Sequence, residues 1–422
     1  MSGGLAAPSP AHAHAATTPA ATCAGEEATL VGSPSRDYIS GTPQRDVIVT
    51  NGSFSVEAEG GDDLICITGR TQEVYAGPGA DEIHNLQPST GSVQVELGTG
   101  TDTYVGGPGR DEVDALDRYF GPDDRDVIQT GGNRDLVATG SWDTDMVDSI
   151  DLGPGRDAFT SFSRTSAPSF SLDGGQGSDE IFLLDGIDDQ FNSAKWEIDN
   201  RASAGVARAD GVPILAWTSL ERFYLEPPVG SLSFRGGDAD EMLTAPKLRS
   251  VSMGAGDDLV SFYSRPREAR VSGGSGTDQL VVGSTYNRLC RGTATLHLKR
   301  ATYTCTEPRV RVRATGFEGA GVEGRWVVLT GTRTANRLTA VATCGGVVRA
   351  GYGRDTVTLE PSIAPCPGKP RQPVRVLGGP GDDELIGGRH ADVLLGGAGQ
   401  DSADGGPGAD LCRAERRTRC ER

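Results

Sequence analysis

From Gly378 the chain reads GGPGDDELI, GGRHADVLL, GGAGQDSAD and GGPGADLCR, four nine-residue units joined without a gap. Each opens on paired glycines and carries an aspartate at its sixth position: Asp383, Asp392, Asp401 and Asp410. The eighth position holds Leu385, Leu394, Ala403 or Cys412. Such a unit divides into a turn and a short strand, so two units close one rung of about 18 residues. The glycines let each turn adopt positive φ and aim its carbonyls at a common point. Units on the same side of the coil lie two apart, which puts Asp383 with Asp401 and Asp392 with Asp410. The eighth-position side chains then point inward and stack as a thin core.

The pattern is G-G-x-G-x-D-x-U-x, and the tail resembles the repeats-in-toxin, or haemolysin-type, calcium-binding repeats of secreted bacterial proteins. The resemblance implies Ca2+ as the bound ion. Calcium takes six to eight oxygens in a flexible shell, which stacked turns can supply as carbonyls and carboxylates. The implied side-chain ligands are Asp383, Asp392, Asp401 and Asp410. The implied carbonyl donors are Gly379, Gly381, Gly397, Gly399, Gly406 and Gly408. His390 stands where the unit has a glycine and reads as a tolerated substitution rather than a ligand.

The same logic reaches the start of the chain. GSPSRDYIS and GTPQRDVIV are adjacent units with Asp37 and Asp46, and further turns carry Asp63, Asp81, Asp102 and Asp111. By the same resemblance these six aspartates are additional metal ligands. Scattered glycine turns with Asp126, Asp135, Asp157, Asp179, Asp240, Asp258, Asp278 and Asp355 follow at uneven intervals, and these read as turn-formers first. Residues 172–260 and 271–357 repeat one another at an offset of 96 to 99 residues. In the second copy Asn336 stands where the first has Asp240, which keeps the turn and weakens a cation site. Val47–Val49, Ile181–Leu184, Arg309–Arg313 and Trp326–Leu329 read as strands, and Asp188–Lys195 as one short helix.

The expected fold is therefore all-β: a right-handed parallel β-helix or β-roll solenoid with irregular rungs and a regular C-terminal calcium β-roll. Its expected parts are a signal-peptide remnant or disordered tail (1–22), an N-terminal Gly/Asp-repeat β-helix (23–171), two copies of the duplication (172–270 and 271–377), and a nonapeptide roll with a disulfide cap (378–422). Eight cysteines allow 105 pairings. Nearest neighbours give Cys23–Cys66, Cys290–Cys305, Cys344–Cys366 and Cys412–Cys420. Disulfides imply an oxidising compartment, so the chain is expected to be extracellular.

Net charge of −18 argues against nucleic acid or anionic membrane as partners. In the fixed turns, that many aspartates would repel one another without a cation. No apolar run approaches the length of a membrane span. The five histidines form no H-E-x-x-H, and there is no G-x-S-x-G or Walker loop. The expected function is non-catalytic calcium binding with a structural or adhesive role, the further partner being a cell-surface or extracellular polysaccharide. The rival is a β-helix carbohydrate-active enzyme (lyase, hydrolase or epimerase) drawing on Glu221, Arg222, Tyr224 and Asp240.

Overall fold

The computed structural model describes residues 20–35, 38–117, 125–141, 147–161, 170–183, 194–225, 230–262, 268–283, 290–307, 309–362, 366–368 and 370–421. Among them there is no helix, and the chain winds as a β-solenoid of about 16 turns. Asp37, the first 19 residues and most of the expected helix at Asp188–Lys195 lie outside the described residues; Lys195 itself opens a strand, Lys195–Asp199. The other expected strands are present as Val47–Val49, Glu180–Leu183, Val310–Thr315 and part of Gly319–Thr330.

One parallel face runs the length of the molecule, from Tyr38–Thr42 to Arg416–Thr418, each strand pairing with its counterpart one turn on. Its registers align one interior side chain per turn. Ile39, Val56, Val74, Val95, Val113, Val137, Phe159 and Ile181 form the first half of that column. Phe223, Leu243, Val260, Leu280, Ala320, Leu338, Val357, Leu385 and Ala403 complete it. All are buried. From Val113 onward each stands two residues after a turn residue at the sixth position, so the eighth-position rule read from the tail holds along most of this face. Period-two alternation makes this work: strand neighbours point out while the eighth residue points in.

The second face begins as another parallel ladder, Leu30–Val31 through Ser171–Asp173, with Ile48, Ile65, Ile83, Tyr104, Ile128 and Ile150 stacked inside. It is then interrupted twice in the same way. Lys195–Asp199, Ala204–Ala209 and Val212–Thr218 form an antiparallel meander. Its last strand joins the preceding rung and its first strand the following one, Ser231–Arg235. Thr293–His297, Thr302–Cys305 and Val310–Thr315 repeat that arrangement between Glu268–Ser275 and the far half of Gly319–Thr330. The internal duplication is thus a duplicated insertion, and strand pairing continues across residues 171/172, 270/271 and 377/378. The inserted region has a thicker interior, with Phe223 against Trp217 and Phe234 and Phe262 against Tyr303, at centroid distances of 5.2 to 5.9 Å.

All four disulfides are the nearest-neighbour pairs. Cys412 is buried in the last turn, and its bond to Cys420 closes the end of the coil.

Candidate metal centre

Each sixth-position residue sits where a glycine turn hands over to a strand, and its carboxylate reaches along the coil axis rather than outward. The backbone N–H of Asp46 donates to Oδ1 of Asp63 at 2.7 Å, and the N–H of Asp63 to Oδ1 of Asp81 at 2.7 Å. The ladder continues through Asp102, Asp126 and Asp148 at 2.8 to 3.0 Å. On the other side of the coil a second ladder links Asp111, Asp135, Asp157 and Asp179. It resumes as Glu241, Asp258 and Asp278, and again as Asn336, Asp355, Asp383 and Asp401. A third, at the C-terminal end, joins Asp392 to Asp410 at 2.8 Å. The two tail pairs read from the period, Asp383 with Asp401 and Asp392 with Asp410, are therefore neighbours in the structure.

Where a meander lengthens the step between rungs, a glutamate replaces the aspartate. Glu221 accepts the N–H of Asp179 at 2.9 Å, and Glu318 that of Asp278 at 3.0 Å. Glu415 does the same for Asp401 at the last turn. The place of these glutamates and of Asp148 in the ladders was not anticipated, although an acid two residues before a buried side chain marks each of Asp148, Glu221 and Glu318. One assignment is corrected. The ladder residue aligned with Asn336 is Glu241, not Asp240, because each caps its own turn, at the N–H of Gly237 and of Thr332. Asp240 stands one residue earlier, at the surface, and accepts the N–H of Asp257.

The turns divide into two kinds, a distinction that the repeat pattern conceals. In the first kind both carboxylate oxygens accept a hydrogen bond. Asp46 accepts from the N–H of Thr42 and the hydroxyl of Thr29, Asp111 from Gly107 N–H and Asn85, and Asp392 from Gly388 N–H and Val374 N–H. In the 387–392 turn neither Gly388 nor His390 takes a positive φ, and that tighter path brings the Gly388 N–H onto Asp392. Asp392 thus differs from the other tail aspartates in that each of its two oxygens accepts an N–H.

In the second kind, residues two and four of the unit both adopt positive φ, as at Gly379 and Gly381, Gly397 and Gly399, and Gly406 and Gly408. Oδ1 still binds along the coil, but Oδ2 is buried with no hydrogen-bond partner among the described residues. This holds for Asp63, Asp81, Asp135, Asp179, Asp258, Asp278, Asp355, Asp383, Asp401 and Asp410, and the bare Oδ2 is shared by Asp157, in whose turn Gly153 has positive φ and Gly155 does not. A bare buried carboxylate oxygen costs about 1–3 kcal/mol or more unless a proton or cation meets it. Burial pushes Asp63 and Asp157 up to about 6, and Asp81, Asp135, Asp179, Asp258 and Asp355 up to about 7. Burial likewise raises Asp278, Asp383 and Asp410 above the ordinary carboxylate range.

Glycine is what lets these turns stack so closely. A Cβ on Gly397 would lie 2.1 Å from the Gly379 carbonyl oxygen, and one on Gly399 would lie 2.0 Å from that of Gly381. A Cβ on Gly396 would meet Oδ2 of Asp401 at 2.3 Å. A Cβ on Gly378 would lie 2.3 Å from Oδ2 of Asp383 and 2.6 Å from the Gly396 carbonyl oxygen, so an unpartnered carboxylate oxygen and a carbonyl oxygen flank one space that a side chain would fill. Among the described residues no three His, Cys, Asp or Glu converge on one point. A cation held here would therefore draw most of its shell from carbonyls, a donor set that suits Ca2+ and not zinc.

A family model, the RTX calcium-binding nonapeptide repeat, matches residues 96–117 and 377–412 in four copies. No curated protein matches the chain. The matched segments include turns of the second kind at Asp383, Asp401 and Asp410, and the remaining rungs repeat their architecture. The chain carries RTX-type calcium-binding nonapeptide repeats within a β-solenoid.

Proposed function

We propose that this is a secreted, non-catalytic protein in which Ca2+ stiffens a rod of stacked Gly/Asp turns for a structural or adhesive role. The observation that carries the reading is the row of buried, unpartnered Oδ2 atoms beside glycine carbonyls, lying partly within calcium-binding repeats. Asp383, Asp401 and Asp410 would hold the ion with the carbonyls of Gly379, Gly381, Gly397, Gly399, Gly406 and Gly408. Asp63, Asp81 and Asp102 would do so near the N-terminus. When bound, calcium supplies the positive charge that the buried carboxylates lack, and its binding energy becomes folding energy. Four disulfides suit an oxidising, extracellular setting. No helix among the described residues is long and apolar enough to cross a membrane.

The non-catalytic reading is supported by the work its rival's residues already do. Glu221 holds the Asp179 N–H, Arg222 pairs with Glu180 at 3.2 Å, Tyr224 stacks on Phe182, and Asp240 receives the Asp257 N–H. An extracellular polysaccharide would meet such a rod on the outer faces of its strands.

Calcium titration followed by circular dichroism and thermal melting tests the reading. The melting temperature should rise with calcium, and the Asp383→Ala/Asp401→Ala variant should lose much of that rise. An unchanged melt across the titration would overturn it, and turnover of an acidic polysaccharide would overturn the non-catalytic part.

A further inference from the structure

On an acidic chain, one outer surface is basic. Arg249, Glu268, Arg270, Arg300, Arg311 and Arg313 line a groove of about 630 Å³ beside the second meander. The strands explain the clustering. Arg270 is directly beside Arg313 across a parallel pair, with Glu268 beside Arg311 in the same ladder. Arg311 and Arg313 stand two apart and so face the same way. Arg249 is the extra residue where the register between Leu232–Leu248 and Ser233–Ser250 slips, a bulge of the kind that re-aims a side chain. Arg300 enters from the turn before Thr302–Cys305.

Like charges side by side on a sheet are destabilising. Five arginines face one carboxylate here, and among the described residues none of the five has an ion pair. The arrangement is completed by an anion from outside. The groove crosses four neighbouring strands, a span of about 14 Å at sheet spacing, which suits an extended chain better than a single small ion. Among the described residues no exposed aromatic side chain lines it, and Tyr303 is turned into the core. Single nucleic acid strands are gripped by base stacking, which the described lining does not offer. A guanidinium fork matches a planar carboxylate in bidentate fashion.

We propose that this groove binds an acidic polysaccharide of the polyuronate class, its carboxylates received by Arg270, Arg311 and Arg313 with Arg249 and Arg300 at the rims. The proposal rests on the reading of an extracellular rod with a glycan partner and gives that partner its site. It does not depend on calcium occupancy.

The test is isothermal titration of the full, calcium-loaded chain with oligogalacturonate, neutral dextran and oligodeoxythymidylate. Wild type should bind oligogalacturonate and ignore dextran. Arg270→Ser/Arg313→Ser should weaken binding by about tenfold or more, as expected for lost charge-assisted hydrogen bonds, and Arg270→Lys/Arg313→Lys by less. Arg416→Ser/Arg417→Ser, at the far end of the coil, should leave binding unchanged. Equal binding by the Ser variant, equal affinity for the oligonucleotide, or no binding by wild type would overturn the proposal. Calcium-dependent melting of the same samples reports separately on folding, so failure here and failure of the calcium reading are distinguishable.

Discussion

At the scale of the residue, the repeated glycines are set by contact as much as by φ. Gly211 and Gly399 both sit at positive φ, but a Cβ on Gly211 would meet nothing within 4 Å, while one on Gly399 would lie 2.0 Å from the Gly381 carbonyl oxygen. Gly211→Ala should therefore cost only the backbone strain, about 1 kcal/mol. Gly399→Ala should cost about 1–3 kcal/mol more through overpacking. Denaturant midpoints of the two variants check the difference. The aspartates give a pH signature with a defined sign. Burial raises Asp81, Asp135, Asp179, Asp258 and Asp355 from 3.8 to about 7. The metal-free native chain thus holds more protons than the unfolded chain between those values. Its stability should be fullest at acid pH and fall as pH rises through about 7, with calcium restoring it at neutral pH. Melts of calcium-stripped protein across this range, with and without added calcium, measure it; a metal-free chain that gains stability toward neutral pH would contradict the assignment.

At the scale of the element, the turn decides whether an aspartate's second oxygen is left bare or holds an N–H. Asp383 and Asp392 occupy identical positions in adjacent units, and nothing in the nonapeptide pattern separates them. The structure does: Oδ2 of Asp392 accepts the Gly388 N–H, while that of Asp383 has no partner among the described residues. Asp392→Ala should cost about 1–3 kcal/mol by stranding buried N–H groups, equally with and without calcium. Asp383→Ala should mainly reduce the calcium-dependent increment. Chemical denaturation of both variants at zero and saturating calcium distinguishes the two roles. The hint was present at His390, which occupies the place of a positive-φ glycine, but which hydrogen bond the altered turn would form was not legible from one residue. Glu221 and Glu318 show the converse. Their recurrence was visible in the sequence, yet their place in the ladder depends on meanders whose strands pair out of chain order.

At the scale of the whole molecule, each turn rests only on its neighbours, so stability varies along the coil. The last turns bury Leu385, Leu394, Ala403 and Cys412 and no aromatic side chain in that column, whereas the middle buries Phe223, Phe234, Phe262, Trp217 and Tyr303. Aromatic side chains carry far more buried area than Ala or Cys. Chelation should therefore loosen the tail first. Hydrogen exchange after calcium removal should show protection lost over Glu384–Ile386 and Ser402–Asp404 and retained over Arg222–Leu225 and Val310–Thr315. Uniform loss along the chain would show that the rod unfolds as one unit.

The sequence by itself determined the repeat unit, the inward eighth position, and the pairing of Asp383 with Asp401 and of Asp392 with Asp410. These are local or nearest-turn properties, fixed by a period of nine and by short separations. Tertiary structure alone decided which carboxylate oxygens are left without a partner and how two antiparallel meanders are spliced into a parallel face. It also decided that arginines far apart in the chain share one groove. Those outcomes depend on register between rungs 17 to 42 residues apart, and register is set by the packing of whole turns rather than by any residue within one.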